Sequence, residues 1–354
     1  MLEIAGKRSK NEIIAESTDG LWSESWREIL KTAVRDVAEL CRRLALPAGI
    51  ASTVSAAGVD FPLLVPAPYL SRIRPGDPND PLLLQILPRL DELEPRSGFS
   101  LDPVGDLAAQ REPGMLCKYQ RRALLVLTGA CAVHCRYCFR RHFPYSDAPR
   151  GLDAWEGALD ELQRSTTIDE VILSGGDPWM WVDDQFTEFV RRLNRLDHLR
   201  RLRVHTRLPI MIPQRVTASL LATLTNTRLT PFVVVHINHP REIDDDVSRA
   251  LRLLVDAGIV VLNQAVLLRG VNDAVDPLEE LCLRLVQLRV LPYYLHQLDR
   301  VQGSAHFEVP RETGQRIVAE LLARLPGYAV PRYVVELPGA VSKIPLPLQV
   351  EFPE

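Results

Sequence analysis

A chain of 354 residues with a formal net charge of −3 and a mean hydropathy near zero can bury a large core, and its charge offers no bulk attraction to nucleic acid or to an anionic membrane. No apolar run approaches the roughly eighteen residues of a bilayer span, and Lys7, Arg8, Lys10 and Glu12 interrupt any signal-peptide core, so a cytoplasmic protein is expected. Six cysteines with three clustered do not make a disulfide framework, and thiolate ligands of an oxygen-sensitive centre call for a reducing compartment.

Residues 1 to about 46 read as helical, since Trp22, Trp26, Ile29, Leu30, Ala33, Val34 and Val37 recur at three- and four-residue steps. From Pro47 to Pro113 prolines are frequent, so helices there must be short and the segment is expected to wrap a core. After Arg122 apolar runs alternate with amphipathic stretches. Candidate strands are Ala123–Leu127, Val171–Leu173, Leu202–His205, Phe232–Ile237, Val260–Leu267 and Leu291–Leu295, with helical patterns such as Asp153–Arg164 and Asp184–Leu196 between them. A spacing of roughly thirty residues is that of a β–α unit, and six such units curl into three-quarters of a TIM barrel. The predicted fold class is therefore α/β: an N-terminal helical and Pro-rich wrapping segment over 1–113, a partial (β/α)6 TIM-like barrel over 114–328, and a short C-terminal segment over 329–354.

Polar residues gather just after the predicted strands, at the end of a barrel where chemistry collects. Cys131, Cys135 and Cys138 follow the first strand, Ser174-Gly175-Gly176-Asp177 the second, and His205 and Arg207 the third. Closely spaced thiolates hold iron–sulfur clusters, but three cysteines serve only three corners of a 4Fe–4S cube and leave one iron open. A structural zinc site would want a closed tetrahedral set, usually with a second Cys-x2-Cys knuckle, which is lacking here. His134 lies inside the triplet and is expected to point away, while Cys41, Cys117 and Cys282 read as small buried residues.

The Cys-x3-Cys-x2-Cys triplet resembles the signature of radical S-adenosylmethionine (SAM) enzymes, in which SAM chelates the open iron, and Ser174 to Asp177 resembles their second-strand SAM-binding motif. A wider set of motifs closely resembles the lysine 2,3-aminomutase family: Phe61-Pro62, Val65-Pro66, Asp80-Pro81, His236-Ile237-Asn238-His239-Pro240, Leu267 to Asp273, Pro292-Tyr293-Tyr294, and Glu336 to Pro345. That resemblance implies pyridoxal 5′-phosphate (PLP) held as a Schiff base by Lys343, its phosphate near Lys118 and Arg122, and Gln264, Arg207 and His236 among the cofactor contacts. It implies that Arg140 pairs with the substrate α-carboxylate, where a guanidinium fork suits two oxygens. Asp299 and Glu336 would take the distant ammonium of L-lysine. A one-electron reductant such as flavodoxin or ferredoxin is implied too.

The short stretch after Lys343 and the lack of cysteines beyond Cys282 are similar to the short aminomutases that make (R)-β-lysine for a ligase acting on elongation factor P. The expected reaction is (S)-α-lysine to (R)-β-lysine. Other readings are an aminomutase of glutamate or arginine, a catabolic or osmolyte-forming β-lysine enzyme, and a noncatalytic scaffold. Neither nucleic acid nor a membrane is expected as a partner, and a homodimer is left open.

Overall fold

The computed structural model describes residues 22–47, 49–50 and 61–348. Residues 1–21, the first half of the expected N-terminal helical stretch, lie outside them.

The rest of that stretch is two helices. α1 (Trp26–Lys31) starts at Ser25, whose hydroxyl accepts from Arg27 N, and α2 (Val37–Arg43) starts at Asp36, whose carboxylate accepts from Glu39 N at 2.7 Å. Between them Val34 leaves the helix to pair with Val65, with backbone bonds of 2.8 and 2.9 Å in the two directions. The apolar stripe survives the break, because Trp26, Ile29, Val34 and Val37 are all buried against the core. The Pro-rich segment holds one-turn helices at Ala67–Leu70 and Pro81–Leu84, as its prolines require.

A ten-stranded sheet runs in chain order. β1 (Gln110–Glu112) and β2 (Met115–Leu116) form an antiparallel edge on β3 (Arg122–Thr128). Then β4 (Glu170–Gly175), β5 (Arg201–Thr206), β6 (Thr230–His236), β7 (Val260–Val266), β8 (Leu291–His296) and β9 (Arg332–Val335) follow in parallel, and β10 (Ile344–Pro345) returns antiparallel on β9. The six expected strands are present and the fold is an open α/β barrel. A seventh parallel strand, β9, was not anticipated: four residues after a proline carry too little pattern to read.

Helices α3 (Glu156–Arg164), α4 (Asp183–Asn194), α5 (Ala218–Thr225), α6 (Asp245–Asp256), α7 (Val275–Gln287) and α8 (Arg311–Arg324) fall between successive parallel strands. α4 buries Phe186, Phe189, Val190 and Leu193, an i, i+3, i+4, i+7 stripe. α6 is capped by Asp244, buries Val247, Ala250, Leu251 and Leu254, and ends at Gly258, which turns the chain at φ +83°. Burying each such leucine or phenylalanine contributes roughly 1.5–3 kcal/mol. The helix-facing strand residues, among them Leu125, Leu173, Val204, Val233 and Leu295, are aliphatic and fully buried.

The other face differs. Arg203 and His205 in β5, His236 in β6, Gln264 in β7, and Tyr294 and His296 in β8 line a cavity of about 530 Å³ inside the barrel. Alternation of apolar outside and polar inside, legible as Arg201-Leu-Arg-Val-His-Thr206, marks an interior built for a ligand rather than for packing.

Candidate active site

All the candidate residues named from sequence line this one cavity, including the three cysteines, Lys118, Arg122, Arg140, Ser174 to Asp177, Arg207, His236, Gln264, Asp299, Glu336 and Lys343. They reach it from the ends of successive strands and from the β9–β10 hairpin.

The cysteines occupy the loop after β3. Burial, reinforced by the neighbouring thiols, raises the Cys131 thiol and pushes Cys138 up to about 11. Such mutual repulsion is relieved by a shared cationic centre. Three thiols that share one neighbourhood suit three corners of a 4Fe–4S cube. His134 has its Nδ1 2.7 Å from the Pro62 carbonyl and its ring stacked on Phe61. Cys41 and Cys282 are buried as expected, whereas Cys117 is only partly so.

The wrapping segment supplies what holds this loop, and sequence reasoning missed it. Glu92 forms a bidentate pair with the fully buried Arg136 and also takes Arg141 at 2.9 Å. Gln85 is a hub: its carbonyl oxygen accepts from Arg207 Nη2 (2.6 Å), Asn238 Nδ2 (3.0 Å) and the Tyr137 hydroxyl (3.2 Å), while its amide donates to Glu242. Arg207, held also by Glu242 at 2.9 Å, thereby donates through Nη1 to Cys135 Sγ at 2.7 Å. The Tyr137 hydroxyl lies 2.8 Å from His236 Nε2, and burial keeps that imidazole neutral. Nothing in a Pro-rich stretch distinguishes Gln85 or Glu92 from solvated side chains.

The glycine pair packs the β4 loop onto the cysteine loop. A side chain on Gly175, at φ +124°, would meet Thr128 O at 2.6 Å, and one on Gly176 would strike the Ala130 carbonyl. Gly176 N donates to Thr128 O (2.6 Å) and Asp177 N to Ala130 O (2.8 Å), so the β4 loop lies backbone to backbone on the cysteine loop. The Asp177 carboxylate is occupied by its own chain, accepting from Thr206 Oγ1 and from the amides of Trp179, Arg207 and Leu208. Burial lifts it to about 6, against the pull of those donors. Ser174 Oγ accepts from Arg140 Nη1 at 3.1 Å.

A chain of alternating charge crosses the barrel's open seam. The β9–β10 register pairs Ile344 with Val335, so one step further Lys343 faces Glu336 across the hairpin, and the two form an ion pair. The other Glu336 oxygen takes Lys118 Nζ at 3.0 Å, Lys118 also reaches Asp106 at 2.6 Å, and Asp106 takes Arg140 Nε at 2.6 Å. Lys118, expected beside a phosphate, is thus shared by two carboxylates. Burial works to raise Glu336, but Lys343 and Lys118 outweigh it and bring the carboxyl down to about 2. Asp299 has no such partner among the described residues: burial and the Glu336 charge push it up to about 7, and its Oδ1 is buried without a hydrogen bond. His205 Nε2 and Arg207 Nε are likewise buried at the cavity wall and unpartnered among the described residues. Arg122 stands over the Tyr119 ring with no carboxylate partner among the described residues. Orphaned donors and a spare guanidinium in one cavity suit a polar, anionic guest.

Residues 125–282 match the family described as Radical SAM superfamily. With the open barrel and the cysteine loop, that match makes the chain a radical SAM enzyme, which implies a 4Fe–4S cluster and SAM. Over 320 residues it is 42% identical to an L-lysine 2,3-aminomutase of Haemophilus influenzae, covering 90% of this chain and 95% of that protein. Identity is also 42% to the Escherichia coli protein of that name, with 92% and 96% covered, and 34% to that of Clostridium subterminale, with 95% and 80% covered. The chain belongs to the lysine 2,3-aminomutase family, whose members are isomerases.

Proposed function

We propose that the protein converts (S)-α-lysine into (R)-β-lysine in the barrel cavity, using PLP on Lys343 together with the cluster and SAM. The observation that carries this reading is that Lys343 lines the same cavity as Cys131, Cys135 and Cys138. Cys131, Cys135 and Cys138 would hold the cluster; Ser174, Gly175, Gly176 and Asp177 would shape the SAM side through their backbone, with Arg207 and His236 beside them. Lys343 would hold PLP covalently, and Arg122 and Gln264 would take its phosphate. Lys118, already shared by Asp106 and Glu336, would add charge at longer range. Bound there, the cluster and SAM supply a hydrogen-abstracting radical, and the PLP ring delocalises the unpaired electron while nitrogen moves from C2 to C3.

The chain's own charges select the substrate. Arg140 would pair with the α-carboxylate, and Asp299 and Glu336 with the distant ammonium. Asp299, buried with an Oδ1 that accepts no hydrogen bond, would gain most from an incoming cation. Glutamate would bring a third negative charge to that end.

The product would supply the ligase that modifies elongation factor P, with flavodoxin or ferredoxin as electron donor. Support comes from greater identity to the H. influenzae and E. coli relatives than to the clostridial one. The division at about residues 113 and 328 is likewise proposed as the organisation of the chain.

The test is anaerobic reconstitution with iron, sulfide and PLP, then lysine, SAM and dithionite, with chiral analysis of the product and borohydride trapping of PLP. The expected result is (R)-β-lysine with SAM not consumed in step with product, and PLP trapped on Lys343. SAM cleavage without β-lysine, or an active K343A variant, overturns it.

A further inference from the structure

Arg140 is held from two sides. Its Nε donates to Asp106 at 2.6 Å, its Nη1 to Ser174 Oγ at 3.1 Å, and the guanidinium lies over the Phe139 ring at 4.7 Å. Nη2 has no protein partner among the described residues, so Nη2 and the second hydrogen of Nη1 remain as the fork for a guest. Asp106 is buried, comes from the wrapping segment, and spends its other oxygen on Lys118, which reaches Glu336. One carboxylate therefore orients the arginine and ties it to the lysine that anchors the ammonium-binding end.

We propose that Asp106 is a positioning residue for substrate specificity: it aims Arg140 at the α-carboxylate and sets the spacing between the carboxylate and ammonium receptors. The inference rests on the lysine reading above. A guanidinium gains its two-point match to a carboxylate only when its plane is fixed, since a loose one must be ordered at each binding event. With Asp106 neutral, Lys118 is drawn to Glu336 alone and Arg140 keeps only Ser174 to orient it. The binding that suffers is that of ligands carrying a carboxylate.

The experiment compares wild type, Asp106→Asn and Ser174→Ala as anaerobically reconstituted holoenzymes without reductant, titrated calorimetrically with L-lysine and with 1,5-diaminopentane, which has both amines and no carboxylate. Asp106→Asn should weaken lysine by about tenfold, as loss of a charge-assisted bond does, and leave diaminopentane within about twofold. In turnover the loss should fall on KM more than on kcat. Should the asparagine variant reconstitute poorly, Ser174→Ala, which removes the second hold on Arg140, must show the same selective loss of lysine. Equal weakening of both ligands, or unchanged lysine binding in either well-folded variant, overturns the proposal. A wild type that binds lysine while the variants match it sinks this inference alone, whereas a wild type that binds neither ligand sinks the lysine reading.

Discussion

Glu336→Gln in the protein free of PLP isolates the charge that Glu336 shares with Lys343 and Lys118. Glutamine mimics the protonated acid, so the variant differs from wild type by the free energy of ionising Glu336 in place. Lowering the carboxyl from 4.5 to about 2 corresponds to about 3 kcal/mol at neutral pH. The sign follows from linkage: a depressed carboxyl stabilises the fold above its unfolded pKa and loses that contribution as pH falls towards the folded one. The wild-type advantage should be full at pH 7, about 1.4 kcal/mol at pH 3, and nearly gone by pH 2. Urea unfolding of both proteins at pH 7, 5, 4 and 3 reads this difference directly. A gap constant across that range, or one below about 0.5 kcal/mol at pH 7, as for an exposed pair, would refute the claim that the hairpin's two cations hold this carboxylate.

Asp299, raised to about 7, should be protonated at pH 6 and ionised at pH 8, so lysine affinity should rise about tenfold between them while an Asn variant stays flat; titration in buffers of different ionisation enthalpy checks the released proton. Gly176→Ala drives a methyl group into the Ala130 carbonyl and must displace the cysteine loop, so iron and sulfide content should fall and stability drop by about 1–3 kcal/mol; full cluster loading would contradict the packing described for the glycine pair. Glu92→Gln leaves Arg136 and Arg141 with a neutral partner at a fully buried site and should cost about 3 kcal/mol in urea unfolding, with an effect under about 1 kcal/mol counting against a buried clamp.

Strand positions and the cysteine loop were legible because each depends on neighbours in sequence. Ala123–Leu127 and Leu202–His205 differ from the observed strands by a residue or two, as does Asp184–Leu196 from its helix. The N-terminal stripe misled, since Val34 faces the core equally well from a helix or from its bridge to Val65. Gln85, Glu92 and Asp106 of the wrapping segment were not picked out because they have no local motif, only distant partners.

What the sequence determined alone was local: thiols at fixed short spacing, a β–α repeat of about thirty residues, and a lysine in a distinctive terminal motif. Only the tertiary structure decided which charges face each other. Lys118 and Glu336 are 218 residues apart, and they meet because the barrel stays open at the seam between β2–β3 and the β9–β10 hairpin. Coulomb energy depends on separation in space and on the solvent removed around it, and neither is written in the order of the residues.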